Sequence, residues 1–428
     1  MPQGFHLLIA AQFVSALADN ALLIIAIARL QELGMSGWWA PLLKFSFTLS
    51  YVLLAPWTGA LADAVPKARL MAWMNALKAI GAVLLLCGGN PLLAYGLVGL
   101  AAAAYAPAKY GIVTELVPAS KLVLANAWIE VSIVCAVLLG TVTGGLLVSP
   151  WLLGSSLSVH LREAFAALLS TPTSLMLALL LVLVLYGVAA LLNLGVPLTG
   201  HRYNIVWGGP GRMLARFQAS NRMLWRDRDG GLSLSVTTLF WGAGATLQFI
   251  VLQWAQESLR LGLDRASYLQ GVVAVGVVIG AALAGRWVKL GGAKRVLPLG
   301  VAMGLLTPLL SMVTSLGWAL PLLVAIGACA GFFVVPMNAM LQDRGCRLMS
   351  AGRSIAVQGF NENASVLLML AVYSGLLALE VPVGVLIWGF GLGVAAVMAA
   401  LIARERRLDR LPMAAVLAST DDTGQGPR

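Results

Sequence analysis

AQFVSALADNALLIIAIA, residues 11–28, is a run of small and apolar side chains broken by a single carboxylate at Asp19. A hydrocarbon core of ~30 Å is crossed by about 20 such residues in a helix. A carboxylate near the middle of that span costs roughly 2.5–3.5 kcal/mol on insertion scales, so Asp19 has to face protein or water. The stretch SALAD (15–19) also has the small-residue pattern of a signal-peptide cleavage site, but residues 1–5 lack the basic region such signals carry. The segment is therefore read as a retained membrane helix with a polar task.

The rest of the chain repeats the pattern. Of 428 residues, 60% are hydrophobic and 11% charged, against about 25% charged in soluble domains, and the mean hydropathy is +0.90. Helical spans are expected roughly at 5–30, 39–62, 70–88, 91–114, 123–148, 173–194, 232–256, 265–288, 294–316, 318–340, 352–379 and 382–403. Strand-length alternation is absent, so the expected class is an all-α integral membrane protein with twelve transmembrane helices. The net charge of +11 follows from topology rather than from a nucleic-acid partner. Arg202, Arg212, Arg216, Arg222, Arg286, Arg344, Arg353 and Arg404 share one side with both termini, while Arg29, Arg162, Arg260 and Arg265 hold the other. The positive-inside rule then makes both termini cytoplasmic. Cys87, Cys135, Cys329 and Cys346 lack ligand spacing and read as packing residues.

Residues 195–231 interrupt the apolar pattern with GVPLTGHRYN, GGPG and DRDGG. The expected division is an N-terminal six-helix bundle (1–197), a linker with an amphipathic helix (198–231), a C-terminal six-helix bundle (232–404) and a tail (405–428). Internal similarity supports two bundles: Gly59 to Arg69 recurs as Gly285 to Arg295, Pro107 as Pro336 and Glu130 as Glu362, at slowly drifting offsets of 226, 229 and 232. Parallel repeats of this kind build the major facilitator plan, with a substrate site at mid-membrane between the halves. In the linker, GRMLARFQASNRMLWRD (211–227) winds Met213, Leu214, Phe217, Leu224 and Trp225 to one side of a helix and four arginines to the other. It is expected to lie on anionic headgroups; packing on the bundle is the alternative. SLSVHLREAFAALL (156–169) is expected to turn Leu157, Leu161, Phe165 and Leu168 to the membrane on the opposite face.

Intramembrane polar residues are site candidates by default. Asp19, Asn20, Lys78, Lys109, Asn126, Glu130, Gln248, Asn338 and Glu362 form the expected cavity set, an arrangement suited to an amphiphile with a zwitterionic head. The plainer reading is that Asp19, Lys109 and Glu130 neutralise one another inside the first bundle. GALADAVPKARL (59–70) resembles the loop between helices 2 and 3 of the major facilitator superfamily, with Ala64 where an arginine is usual. It makes Gly59, Asp63, Lys67 and Arg69 candidate gate residues. Gly140-x-x-x-Gly144 in the fifth span and Gly276-x-x-x-Gly280 in the eighth are expected to meet across the halves, as a sliding contact or as static packing. There is no Walker loop or G-x-S-x-G, His6, His160 and His201 are scattered, and neither enzyme, cofactor nor metal is expected.

Six stretches, AQFVSALADNALL (11–23), AAAAYAPAKYGIVTEL (101–116), SKLVLANAWIE (120–130), LFWGAGATLQF (239–249), GFFVVPMNAMLQDRG (331–345) and AVQGFNENASVLLML (356–370), together resemble the bacterial lysophospholipid transporter family, LplT, within the major facilitator superfamily. The resemblance implies movement of lysophosphatidylethanolamine and lysophosphatidylglycerol from the outer to the inner leaflet of the bacterial inner membrane. It also implies functional coupling to an acyl-acyl carrier protein synthetase and acyltransferase. By the same resemblance Asp19, Lys109 and Glu362 are polar cavity residues. Gln248 stands where the family commonly has an arginine, and residues 150–172 form a longer segment than usual. A proton-coupled drug or solute exporter of the same fold and a non-transporting scaffold are the competing expectations.

Overall fold

The computed structural model describes residues 2–35, 39–166, 173–200, 208–261 and 263–421. Arg202 and His201 lie outside them, as does Leu168, and the side chains of Phe165, Arg265 and Arg410 are likewise not described.

The first half contains α1 (Gln3–Glu32), α2 (Trp39–Ala64), α3 (Lys67–Leu86), α4 (Pro91–Leu116) and α5 (Leu122–Leu147), the short α6 (Pro150–Leu153) and α7 (Ser156–Ala166), and α8 (Met176–Leu194). Linker helix α9 (Pro210–Arg226) leads to α10 (Arg228–Glu257), α11 (Leu263–Trp287), α12 (Leu297–Leu306), α13 (Leu316–Leu348), α14 (Ala351–Ala378) and α15 (Val383–Asp421). Among the described residues, twelve spans are long and apolar enough to cross a membrane. An even number of crossings brings the start of α1 and the end of α15 to one face, called the terminal face below. Side chains such as Leu53, Trp73, Leu93, Leu139 and Leu368 are exposed around the outside, as expected where lipid is the solvent.

Several elements depart from the sequence expectation. The ninth span is not one α-helix: 3-10 turns at Leu290–Val296 and Thr307–Met312 flank α12. Pro308 supplies no N–H to the ladder, which ends the α-helical stretch there. DRDGG is the start of α10 rather than linker, because Asp227 accepts from the Gly230 N–H at 2.8 Å as its N-cap. The tail is helical through Asp421, and Glu405, expected in a free tail, accepts from Arg228 and Lys294.

Linker helix α9 packs on the bundle. Met213, Phe217 and Leu224 are buried, while Leu214 and Trp225 remain 45% and 37% exposed. Phe217 and Leu224 share a cluster with Ala55, Leu234, Leu341 and Val357 from four spans. The apolar stripe expected to lie on headgroups is therefore narrower than predicted, and it covers protein.

The two G-x-x-x-G pairs do not meet. Gly140 and Gly144 lie against Leu17, Asn20 and Ala21 of α1, inside the first half; Gly276 and Gly280 lie against Val324, Ala328 and Phe332 of α13, inside the second. The expected sliding contact is replaced by another pair of glycines. Gly59 of α2 abuts Gly352, Arg353 and Ala356 of α14, and Gly285 of α11 abuts Ala127 and Leu124 of α5. These are the two glycines related by the internal repeat, and each sits at one of the two seams between halves.

Candidate substrate cavity and its latch

Between the halves lies a cavity of about 590 Å³. Its walls are largely apolar, from side chains such as Val134, Leu138, Phe240, Val273 and Phe360. Into this lining project two amines, Lys44 of α2 and Lys109 of α4, and two carboxylates, Glu130 of α5 and Glu362 of α14. Lys109 stacks its ammonium 4.2 Å from the Tyr110 ring centroid, and among the described residues no carboxylate comes within 4.0 Å of it. Glu130 is 5% exposed and has no hydrogen-bond partner among the described residues. Glu362 accepts from Gln358 Nε2 at 2.8 Å, and the same amide donates to Asn338 at 3.0 Å. Gln248 donates to Gln270 at 2.9 Å along the opposite wall.

Of the nine expected cavity residues, Lys109, Glu130, Gln248 and Glu362 line this space, whereas Asp19, Asn20, Lys78, Asn126 and Asn338 do not. Asp19 is instead held within the first half. Its carboxylate accepts from Lys78 Nζ at 2.6 Å and from the Tyr186 hydroxyl at 2.9 Å; Lys78 also donates to Ser15 at 3.0 Å, and Ser15 to Asn75 at 2.7 Å. The partner of Asp19 is thus Lys78, and neither Lys109 nor Glu130 takes part in the pair. Asn20 donates to its own helix at Ala16. Asn126 exchanges two hydrogen bonds of 2.9 Å with Gln342 of α13, a reciprocal amide clasp between halves.

Lys44, Tyr51, Tyr110 and Gln270 are cavity residues that the sequence reading passes over. A lysine a few residues into a span reads as one that snorkels to the interface; only the placement of α2 shows that Lys44 turns to the cavity.

At the terminal face the cavity is closed. Asp63, at the end of α2, accepts from Ser350 Oγ and from the Gly352 N–H at 3.0 Å, capping the start of α14 across the half interface. Arg353 Nε donates to Ser350 at 2.9 Å. Lys67 pairs with Glu115 at 2.6 Å and stands 4.0 Å from Asp63. Arg69 takes no part in this latch: it is exposed, and Lys67 supplies the cation. Cys346 to Thr114, together with the Asn126–Gln342 clasp, adds further links on the same side. Every hydrogen bond between halves among the described residues lies toward the terminal face.

Residues 8–360 match the Major Facilitator Superfamily. A protein of Yersinia pestis (strain Pestoides F) named lysophospholipid transporter LplT is 40% identical over 376 residues, covering 87% of this chain and 86% of its own. A relative of the same name from Yersinia pseudotuberculosis (serotype I, strain IP32953) matches equally. The chain belongs to the LplT family of the major facilitator superfamily. Solved structures agree on the fold of this LplT-family chain. A bacterial homologue of the iron transporter ferroportin in an outward-facing state superposes with a TM-score of 0.68 at 15% identity, covering 95% of this chain and 100% of that one. The major facilitator superfamily transporter FucP in the outward conformation gives 0.68 at 16%, covering 94% and 98%.

Proposed function

We propose that the chain carries lysophospholipids across the bacterial inner membrane by alternating access, the headgroup crossing in the central cavity. The observation that carries the reading is the cavity wall, in which Lys109 and Glu130 face a largely apolar space without a hydrogen bond or ion pair between them. An ammonium there complements a phosphate and a carboxylate complements an ethanolamine. The names of the LplT relatives point to the same cargo.

The cargo in this reading is lysophosphatidylethanolamine and lysophosphatidylglycerol, moved from the outer to the inner leaflet. Both termini are cytoplasmic, which makes the terminal face cytoplasmic and the closed latch the mark of an outward-facing state. The rocking units are residues 1–197 and, from the start of α10, 228–404. The acyl chain stays in hydrocarbon and enters laterally, through the α2–α14 or the α5–α11 seam. A cavity of about 590 Å³ is within the ordinary ligand range of ~300–1,000 Å³ and suits a headgroup whose tail remains outside. An acyltransferase on the cytoplasmic side consumes the product and keeps transport downhill.

The test is uptake and reacylation of radiolabelled lysophosphatidylethanolamine in spheroplasts with and without the protein. Equal uptake in both would overturn the proposal. Glu130, a buried carboxylate with no hydrogen-bond or ion-pair partner among the described residues, favours a second reading, a proton-coupled exporter. That reading requires resistance to cationic drugs without lipid uptake, and collapse of transport on adding a protonophore.

A further inference from the structure

A second cavity, of about 370 Å³, lies at the terminal face under α9. Its floor is apolar, from Pro56 of α2, Met213 and Phe217 of α9 and Ala356 of α14, and two guanidinium groups share its walls, Arg216 of α9 and Arg353 of α14. Asp63 also borders it, but that carboxylate is engaged by Ser350 and the Gly352 N–H.

We propose that this pocket binds the phosphate of an anionic phospholipid from the leaflet at the terminal face, and that the bound lipid holds the α2–α14 latch shut. The lipid is a resident ligand, distinct from whatever the central cavity carries. Three features point to it. Arginine pairs with phosphate through two parallel N–H groups, and two arginines here flank a floor that fits glycerol and the first methylenes of an acyl chain. The neighbouring Arg212, Arg222 and Arg226 on the same helix raise the local positive potential, which concentrates anionic lipid at the interface. The pocket also has walls from α2, from α14 and from the linker, so it exists only while the two halves are together on this side.

That last feature gives the pocket its leverage. When Gly59 and Gly352 separate, Pro56 and Ala356 move apart and the site is divided. A ligand that fits one state alone shifts the equilibrium toward it by its differential affinity. Arg353 reinforces the link, because its Nε donates to the same Ser350 hydroxyl that donates to Asp63.

The full-length chain carries its own reporter. With Cys87, Cys135 and Cys329 replaced by alanine, the remaining thiol is Cys346, hydrogen-bonded to Thr114 across the interface on this face. Its maleimide labelling rate is measured in phosphatidylcholine nanodiscs with and without phosphatidylglycerol. The expected result, with each rate referred to the same protein in phosphatidylcholine alone, is a slowing of at least roughly threefold by phosphatidylglycerol, lost in Arg216→Gln. No slowing of the parent, or equal slowing of Arg216→Gln, overturns the proposal. Equal slowing by inorganic phosphate in phosphatidylcholine discs replaces the lipid by a soluble anion and overturns it too. If Arg216→Gln does not survive purification, native mass spectrometry of the parent from mixed discs decides: preferential retention of phosphatidylglycerol supports the site, and indifferent retention overturns it.

Discussion

Asp63 and Gly352 belong to different halves of the molecule, yet the carboxylate of one caps the backbone N–H of the other at 3.0 Å. A helix start offers unsatisfied donors and a partial positive charge, so an acid there is stabilising. The internal repeat has no equivalent on the other seam: 226 residues after Asp63 stands Lys289, which is exposed and whose ammonium can accept nothing. The latch is one-sided, and its loss is not compensated by symmetry.

Asp63→Asn is therefore expected to favour opening at the terminal face while leaving the fold intact. The charge-assisted bonds it removes correspond to a population shift of roughly tenfold, about 1.4 kcal/mol. Distances between spin labels on the terminal ends of α2 and α14 should lengthen. An unchanged distance distribution would show that the cap does not hold the face closed.

Gly59→Ala should act in the same sense on the same contact, by a steric clash rather than a lost bond. A β-carbon at Gly59 would lie 2.9 Å from both the Gly352 carbonyl oxygen and the Ala356 side chain, so α2 and α14 could no longer close fully. The expected phenotype is a folded protein with at least roughly tenfold slower transport. Wild-type rates from this variant would remove Gly59 from the cycle.

Asp19 has acquired a partner that changes what its substitution should do. Lys78 is 2% exposed, and taking away one member of a buried pair typically costs roughly 3–5 kcal/mol because the other charge is stranded. Asp19→Asn should lower thermal stability strongly, and adding Lys78→Met should restore much of it. If Asp19→Asn is as stable as the parent but fails to transport, the pair belongs to the transport path rather than to the scaffold.

Acid should loosen the attachment of the second half to its linker. The Arg344 side chain donates to both oxygens of Asp227, at 2.7–3.0 Å, and these bonds hold the carboxyl below the usual carboxylate range. A depressed value means the contribution is complete above the ordinary carboxylate pKa and fades as pH falls through the lower, folded one. Melting temperatures across acidic buffers should drop less steeply for Asp227→Asn than for the parent. Parallel curves would contradict the assignment.

Much of this architecture is legible in the chain because lipid imposes a simple length and composition on every span. The twelve segments, the repeat and the carboxylates Glu130 and Glu362 follow from that constraint. Partner choice does not. A G-x-x-x-G pair states that some backbone comes close, and Gly140 serves α1 as well as it would have served α11. Asp19 could have met Lys78 on α3 or Lys109 on α4, and only the rotation of those helices decides. The linker has the same apolar stripe whether lipid or protein covers it, so the pattern places Leu214 with Phe217 although one is exposed and the other buried.

The facing glycines of α11 and α13 constrain how this chain can be altered. Gly276 and Gly280 of one helix oppose Gly327 and Gly331 of the other, and a methyl group at any of the four would strike a backbone carbonyl across the contact. Those four positions have no side-chain volume to trade, so variation at them would separate the helices before it reshaped the space between the halves. New cargo sizes must be accommodated elsewhere, by exchanging residues such as Trp241, Phe360 or Val366 on α10 and α14. Anyone seeking to redirect the transporter by mutagenesis should begin with those two helices.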